Sequence, residues 1–166
     1  MFEVGDYVVY GNNGVCQVES VGPIKMPGVT KERLYYTLTI HCAHGGKVFT
    51  PVDSDKVRMR SVMSKDEAKG LLNSIPELST FPSVDQRKSE AVYRGALQSG
   101  NCMETLKVVK TLQNRKKERQ AEGKNMNVSD EKYLRIATTE LYGELAMALD
   151  MDITSVENCI LDKIES

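Results

Sequence analysis

Short runs of β-branched and aromatic residues, separated by turn residues, occupy positions 1–60. The first run, Asp6-Tyr7-Val8-Val9-Tyr10, is followed by Gly11-Asn12-Asn13-Gly14, a combination typical of a strand that ends in a tight turn. Further runs predict strands at 15–21, 34–40, 47–50 and 57–60, with a Pro- and Gly-containing loop at 22–30. Short strands with tight turns in so few residues predict a small barrel of the SH3 or Tudor kind.

Beyond residue 62 the apolar residues recur at helical spacing, and several patterns mark helix starts. In a capping pattern a side-chain oxygen accepts an otherwise unpaired backbone N–H. Such patterns begin at Ser64, Ser83, Asn101 and Thr154. The longest apolar stripe comprises Leu134, Ala137, Leu141, Leu145 and Ala148. The predicted fold class is therefore α+β, with a Tudor/SH3-like β-barrel at 1–62 and an all-α domain at 63–166.

Charge is segregated along the chain, although the net charge of the 166 residues is only −1. Residues 85–135 contain 12 Lys and Arg against 7 Asp and Glu, whereas residues 136–166 contain 1 against 7. A basic block within a nearly neutral protein suggests a local anionic partner, with nucleic acid as the first candidate. The alternative is a solvated helix surface that the acidic C-terminal part balances.

The residues offer little material for catalysis. The two histidines, His41 and His44, lie in a predicted turn, and with Cys42 and Cys16 they lack the paired spacing of a zinc site. No phosphate-binding loop, dinucleotide fingerprint or Ser-centred nucleophile motif is present. We expect no cofactor, no bound metal and no small-molecule substrate, and we predict that the protein is not an enzyme.

The sequence also bears on location. No apolar run reaches the roughly 18–20 residues of a membrane helix, and the N-terminus has an early acid and no apolar signal core. Four cysteines are scattered without a paired spacing. We therefore expect a cytoplasmic protein with reduced thiols and no membrane contact.

The basic residues of the second domain are the candidate DNA contacts. Helical spacing suggests that Lys107, Lys110, Lys117 and Lys124 form one stripe facing phosphates. The same region adds Arg87, Lys88, Arg94, Arg115, Lys116 and Arg119. Phosphate contacts give affinity and salt dependence without base recognition. Because nothing resembles a helix-turn-helix reading head, the pattern favours sequence-independent binding.

Several segments resemble the CarD/CdnL-type transcription regulators of bacteria, in the family's order and over nearly the whole chain. They are Val4-Gly5-Asp6-Tyr7-Val8-Val9-Tyr10 with Gly14-Val15-Cys16-Gln17-Val18, Phe49-Thr50-Pro51-Val52-Asp53, Val57-Arg58-Met59-Arg60, Leu97-Gln98-Ser99-Gly100, Lys107-Val108-Val109-Lys110-Thr111-Leu112, Lys117-Glu118-Arg119, Asp130-Glu131-Lys132-Tyr133-Leu134 and Glu140-Leu141-Tyr142-Gly143-Glu144-Leu145.

The resemblance implies a barrel that binds the β subunit of RNA polymerase, as does the similar barrel of the transcription-repair coupling factor. It implies a helical domain that contacts promoter DNA, at the phosphate backbone and minor groove, at the upstream edge of the transcription bubble. Such a protein modulates open-complex stability without choosing a sequence. The implied polymerase-binding residues are Lys25, Lys47, Val48, Phe49, Thr50 and Pro51, where the 47–50 strand offers an edge for strand addition.

The chain departs from the family pattern in two places. The family commonly has a Trp wedge before a basic pair, whereas this sequence has no Trp, and Phe81 precedes Arg87-Lys88. Phe81 is either a substitute wedge at the bubble edge or a core residue in front of a helix cap. Phe49 lies near the position of an Arg that the family often has in the closing strand. The alternative function is therefore a polymerase-binding adaptor of the same fold without DNA binding.

Overall fold

The computed structural model describes residues 1–25, 27–28, 32–41 and 45–165, without the side chain of Asn12. The chain divides into two compact units, Met1–Val62 and Met63–Ser166. The first unit contains five strands: β1 (Tyr7–Tyr10), β2 (Val15–Gly22), β3 (Tyr35–Ile40), β4 (Lys47–Pro51) and β5 (Met59–Ser61). The second contains α1 (Lys65–Asn73), α2 (Gln86–Gln98), α3 (Cys102–Ala121), α4 (Val128–Leu149) and α5 (Ile153–Glu165). The predicted α+β class is confirmed.

The five strands of the first unit form one antiparallel sheet in the order β4-β3-β2-β1-β5. Alternate residues of the strands point to one face, where Val8, Cys16, Val18, Tyr36 and Leu38 are buried together. The predicted turn between β1 and β2 is a short 3-10 helix (Gly11–Asn13), after which Gly14 adopts a φ of 71° that suits glycine. A bulge between Val18 and Ser20 shifts the register against β3.

Helix α3 is the centre of the second unit. Every residue from 105 to 112 except the half-buried Lys107 is buried, so packing covers most of the circumference of the first half of this helix. Tyr93 from α2, Leu141 from α4 and the apolar face of α5 complete the core. This packing matters for function because the exposed charged side chains of α3 all lie in its C-terminal half, whereas Glu104 and Lys107 in the first half are partly buried.

Two of the four predicted helix caps are confirmed. Ser64 forms a full capping box with Glu67, and the Asn101 side chain accepts from the backbone N–H groups of Met103 and Glu104. The caps predicted at Ser83 and Thr154 are wrong. Asp85 caps α2, and the Asp152 carboxylate accepts the Ser155 N–H at 2.7 Å. In both places an ionised carboxylate was available near the hydroxyl, and its charge also interacts favourably with the helix dipole.

Candidate nucleic-acid and polymerase interfaces

Strand β4 lies at an edge of the sheet and pairs only with β3 among the described strands. Its outer backbone groups are therefore positioned to accept another strand. Along one face of β4, Thr50 is buried and Val48 is half-buried. On the other face, Phe49 is 43% exposed and Pro51 is half-buried. Phe49 is thus the apolar side chain that β4 presents to the solvent. Lys25, beyond the end of β2, is also exposed.

Lys47 at the start of β4 is held in an ion pair. Its Nζ lies 3.1 Å from Glu19 Oε1, and the Thr39 hydroxyl donates to the other Glu19 oxygen at 2.9 Å. The bond from Lys47 lowers the pKa of Glu19 most, and the bond from Thr39 lowers it further. The arrangement fixes the direction of Lys47 across three neighbouring strands, although both charged groups remain about half exposed.

The single basic stripe predicted on α3 does not form, and Lys110 shows this most clearly. Lys110 is 8% exposed, and its ammonium group donates to the backbone carbonyls of Ile75, Pro76 and Leu78 at 2.6, 3.3 and 2.7 Å. The prediction that Lys110 faces phosphates is therefore wrong. The physical reason is that a short 3-10 turn (Ile75–Glu77) ends against α3 and leaves carbonyls that need donors.

The other predicted cations of α3 point in different directions. Arg115 pairs with the buried carboxylate of Asp130 at 3.3 Å, and its side chain is only 19% exposed. The Arg119 Nε donates to the Asn125 carbonyl at 2.7 Å and so fastens the loop that follows the helix. Lys117 lies 3.7 Å from Glu165 of α5. Lys116 is exposed and forms no side-chain ion pair within the described ranges. The Lys117 side chain remains 70% exposed despite its contact with Glu165, so these two lysines are the open cations of α3.

Helix α2 presents a second exposed set. Arg87 and Lys88 occupy its first turn, directly after the Asp85 cap, and both side chains are exposed. The Lys88 ammonium is 3.9 Å from Asp85, a contact weak enough to leave it available. Arg94 is also exposed, and its guanidinium donates to the Tyr133 hydroxyl at 3.2 Å. After α3, Lys124 is exposed and lies 3.8 Å from Glu122.

Phe81 packs against the helical core while remaining half-buried. Its ring meets that of Tyr93 edge to face, with 6.2 Å between centroids, and the Lys107 ammonium lies 4.5 Å from the Phe81 ring centre. The Phe81 backbone N–H donates to the Thr111 hydroxyl at 3.0 Å. Among the two interpretations left open by the sequence, this packing favours the core residue.

A polar cluster missing from the sequence analysis joins three helices. Asp130, in the first turn of α4, is fully buried, and its carboxylate is surrounded by Gln86, Arg115 and Asn127. One signal was available in the sequence. Asn127 lies three positions before Asp130, which is the spacing at which a cap residue and a first-turn residue interact.

The described residues contain no group of His, Cys, Asp and Glu able to hold a metal ion. The His41 ring packs edge to face against Tyr7, with centroids 5.3 Å apart, while Cys42 and His44 lie outside the described residues. Within those same limits, no helix combines the length and the apolar character that crossing a membrane requires.

Comparison with known families assigns both parts of the chain. Residues 2–63 match the family model described as CarD-like/TRCF RID domain, and residues 76–161 match the model described as CarD, C-terminal domain. No match was found among curated proteins. The first of these domains has a Tudor-like fold, and CarD-like families are non-enzymatic transcription factors. The predicted resemblance is confirmed: the chain belongs to the CarD family of transcription-associated, RNA polymerase-interacting proteins.

Proposed function

We propose that the first unit binds the β subunit of RNA polymerase by strand addition at β4, and that the second unit contacts promoter DNA. The proposed polymerase surface comprises Lys25, Lys47, Val48, Phe49, Thr50 and Pro51. The support is the position of β4 at the sheet edge, where a partner strand gains backbone hydrogen bonds and an exposed Phe49 supplies apolar contact. This role implies a cytoplasmic protein that associates with the nucleoid through the polymerase.

The DNA contact is proposed at the upstream edge of the transcription bubble, where it modulates the stability of the open complex. The observation that carries this proposal is the exposed pair Arg87-Lys88 in the first turn of α2. Exposed Arg and Lys side chains neutralise phosphates and release counterions on any sequence. The set of exposed cations also includes Arg94, Lys116, Lys117 and Lys124, whereas Lys110 is excluded by its burial.

The experiment is a salt titration of DNA binding with the full chain, measured by fluorescence anisotropy on duplex and on pre-opened bubble DNA of two unrelated sequences. We expect equal affinities for the two sequences and a linear fall of log affinity with log salt concentration. Replacing both Arg87 and Lys88 with Gln is expected to reduce the magnitude of that slope by about two units. A changed sequence preference with an unchanged slope would indicate base recognition and contradict the proposal.

A second candidate is a polymerase-binding adaptor without DNA binding. It is favoured by Lys110, Arg115 and Arg119, three predicted DNA contacts whose side chains bind groups within the protein and are buried or partly buried. The same titration separates the candidates, because an adaptor binds the polymerase β subunit in a pull-down and shows no salt-dependent affinity for DNA.

A further inference from the structure

Asp130 is a fully buried carboxylate at the meeting point of three helices. Its Oδ1 accepts from the Gln86 side-chain amide at 3.1 Å. Its Oδ2 accepts from Arg115 and from the Asn127 side-chain amide, both at 3.3 Å. Gln86 is the first residue of α2, Arg115 belongs to α3, and Asn127 caps α4. One side chain therefore links all three helices.

Additional bonds tie the same ends of α2 and α4 together. The Asn127 side-chain amide donates to Gln86 Oε1 at 3.0 Å, and the Ser129 hydroxyl donates to Glu90 Oε1 at 2.6 Å. The Asn127 side-chain oxygen accepts the Asp130 backbone N–H at 2.8 Å. A buried carboxylate persists only when its oxygens are paired, so each donor is held in place by the need to satisfy the charge.

The location of Gln86 connects this cluster to the DNA surface. Arg87 and Lys88 follow Gln86 directly in the first turn of α2. Fixing Gln86 on Asp130 therefore fixes where the exposed basic pair lies relative to α3 and α4. The same carboxylate neutralises Arg115, so that Arg115 holds helices together instead of meeting solvent.

We infer that Asp130 is a positioning residue that orients the Arg87-Lys88 pair for phosphate contact, an inference that rests on the proposed DNA binding. If Asp130 acted only as a counter-charge, its replacement would change DNA affinity in the opposite direction. Removing a negative charge beside a basic surface strengthens attraction to DNA, whereas removing a positioning residue weakens binding although the protein becomes more positive.

The test uses Asp130→Asn in the full chain, with DNA affinity measured under conditions where circular dichroism shows the variant folded. We expect affinity to fall by about 5-fold, as for groups coupled within one hydrogen-bonded network. Hydrogen exchange at the Lys88 and Ser89 amides of α2 is expected to accelerate as well. Affinity that is unchanged or increased, with unchanged exchange at these amides, would overturn the inference.

Asp150→Asn is the matched control. It makes the same charge change at an exposed residue after the other end of α4, where Asp150 adopts a φ of 54° that Asn also tolerates. We expect this variant to bind DNA at least as well as the unaltered protein. A loss equal to that of Asp130→Asn would show that the effect does not depend on the hydrogen-bonded network around Asp130, and it would overturn the inference.

Gln86→Ala keeps the test decisive if Asp130→Asn fails to fold, because Gln86 is exposed and its removal leaves the Arg115–Asp130 pair intact. The same faster exchange in α2 and the same loss of affinity are expected, and normal values for both would contradict the inference. Failure of the unaltered protein to bind DNA would reject the proposed function instead, while the exchange measurement would still report whether Asp130 and Gln86 hold α2.

Discussion

The ammonium group of Lys107 lies 4.5 Å from the centre of the Phe81 ring, so two residues predicted from sequence to meet DNA are in contact with each other. Such a cation–π contact contributes about 0.5–1 kcal/mol at partly exposed sites. With the Phe81 N–H bound to Thr111 and the Lys110 ammonium bound to three carbonyls, consecutive turns of α3 hold the segment between α1 and α2.

Phe81→Ala is expected to destabilise the second unit by about 1–3 kcal/mol, less than a fully buried Phe because the ring is half-buried. Thermal unfolding measures this loss. The alternative, a wedge role of Phe81, is tested by the lifetime of the open complex on bubble DNA, measured with the folded variant at a saturating concentration. A normal lifetime leaves Phe81 as a core residue, whereas a shortened lifetime with unchanged stability would make it a wedge.

Lys110→Met is expected to lower the free energy of unfolding by about 2–4 kcal/mol, because the buried carbonyl of Ile75 and the partly buried bonds to Pro76 and Leu78 lose their charged donor. The salt slope of DNA binding should not change. Lys116→Met is the matched substitution on the same helix, exposed to solvent. For Lys116→Met we expect a free energy of unfolding within about 0.5 kcal/mol of the unaltered protein and a salt slope of DNA binding reduced by about one unit. The reverse pattern would contradict the assignment of these two lysines.

Tyr142 is expected to make stability fall at alkaline pH. Burial raises the pKa of Tyr142 to about 12, against a smaller lowering influence of the Gln113 side chain. The folded state therefore retains the phenolic proton to higher pH than the unfolded chain, whose pKa is about 10. The contribution of Tyr142 to the free energy of unfolding is therefore complete below about pH 10 and is lost as the pH rises toward 12.

Tyr142→Phe is the variant that isolates this contribution. The Tyr142 hydroxyl is buried and has no hydrogen-bond partner of acceptable geometry among the described residues. Removing it should therefore lower the free energy of unfolding only slightly at neutral pH. Chemical denaturation at a series of pH values compares the two proteins. Equal losses of stability between pH 10 and 12 would show that Tyr142 does not titrate differently in the two states.

Phe49→Glu is expected to weaken capture of the polymerase β subunit by at least about 10-fold, since an apolar anchor at a strand edge is replaced by a charge that the contact must desolvate. The fold should be retained because Phe49 is 43% exposed. Val4→Glu provides the control, as Val4 is also an exposed apolar residue of the first unit but lies outside β4. Equal binding by both variants would argue against contact at β4.

The periodicity of apolar residues was sufficient to predict the strands and helices, but the direction of each cation was not predictable from spacing alone. The burial of Lys110 depends on carbonyls that lie 32 to 35 positions earlier in the chain. Such contacts arise only when the 3-10 turn packs on α3, which no local pattern encodes.

The boundaries of the strands were also shifted by pairing. Residue 57 was predicted to start the fifth strand, whereas β5 is Met59–Ser61 because Val8, Val9 and Tyr10 of β1 pair with those three residues. The burial of Asp130 could not be predicted for a similar reason. The Asn127–Asp130 spacing indicates only the local cap, because the partners Gln86 and Arg115 are 44 and 15 positions away from Asp130.

An edge strand such as β4, which is open to a partner strand, must also avoid pairing with other copies of the same chain. Unpaired strand edges promote aggregation, and proteins protect them with short length, charged side chains and proline. Strand β4 has all three features: it is five residues long, Lys47 stands at its start in an ion pair with Glu19, and Pro51 ends it. Self-association along this edge is thereby discouraged, and a fitting strand from another chain has only a short window in which to pair.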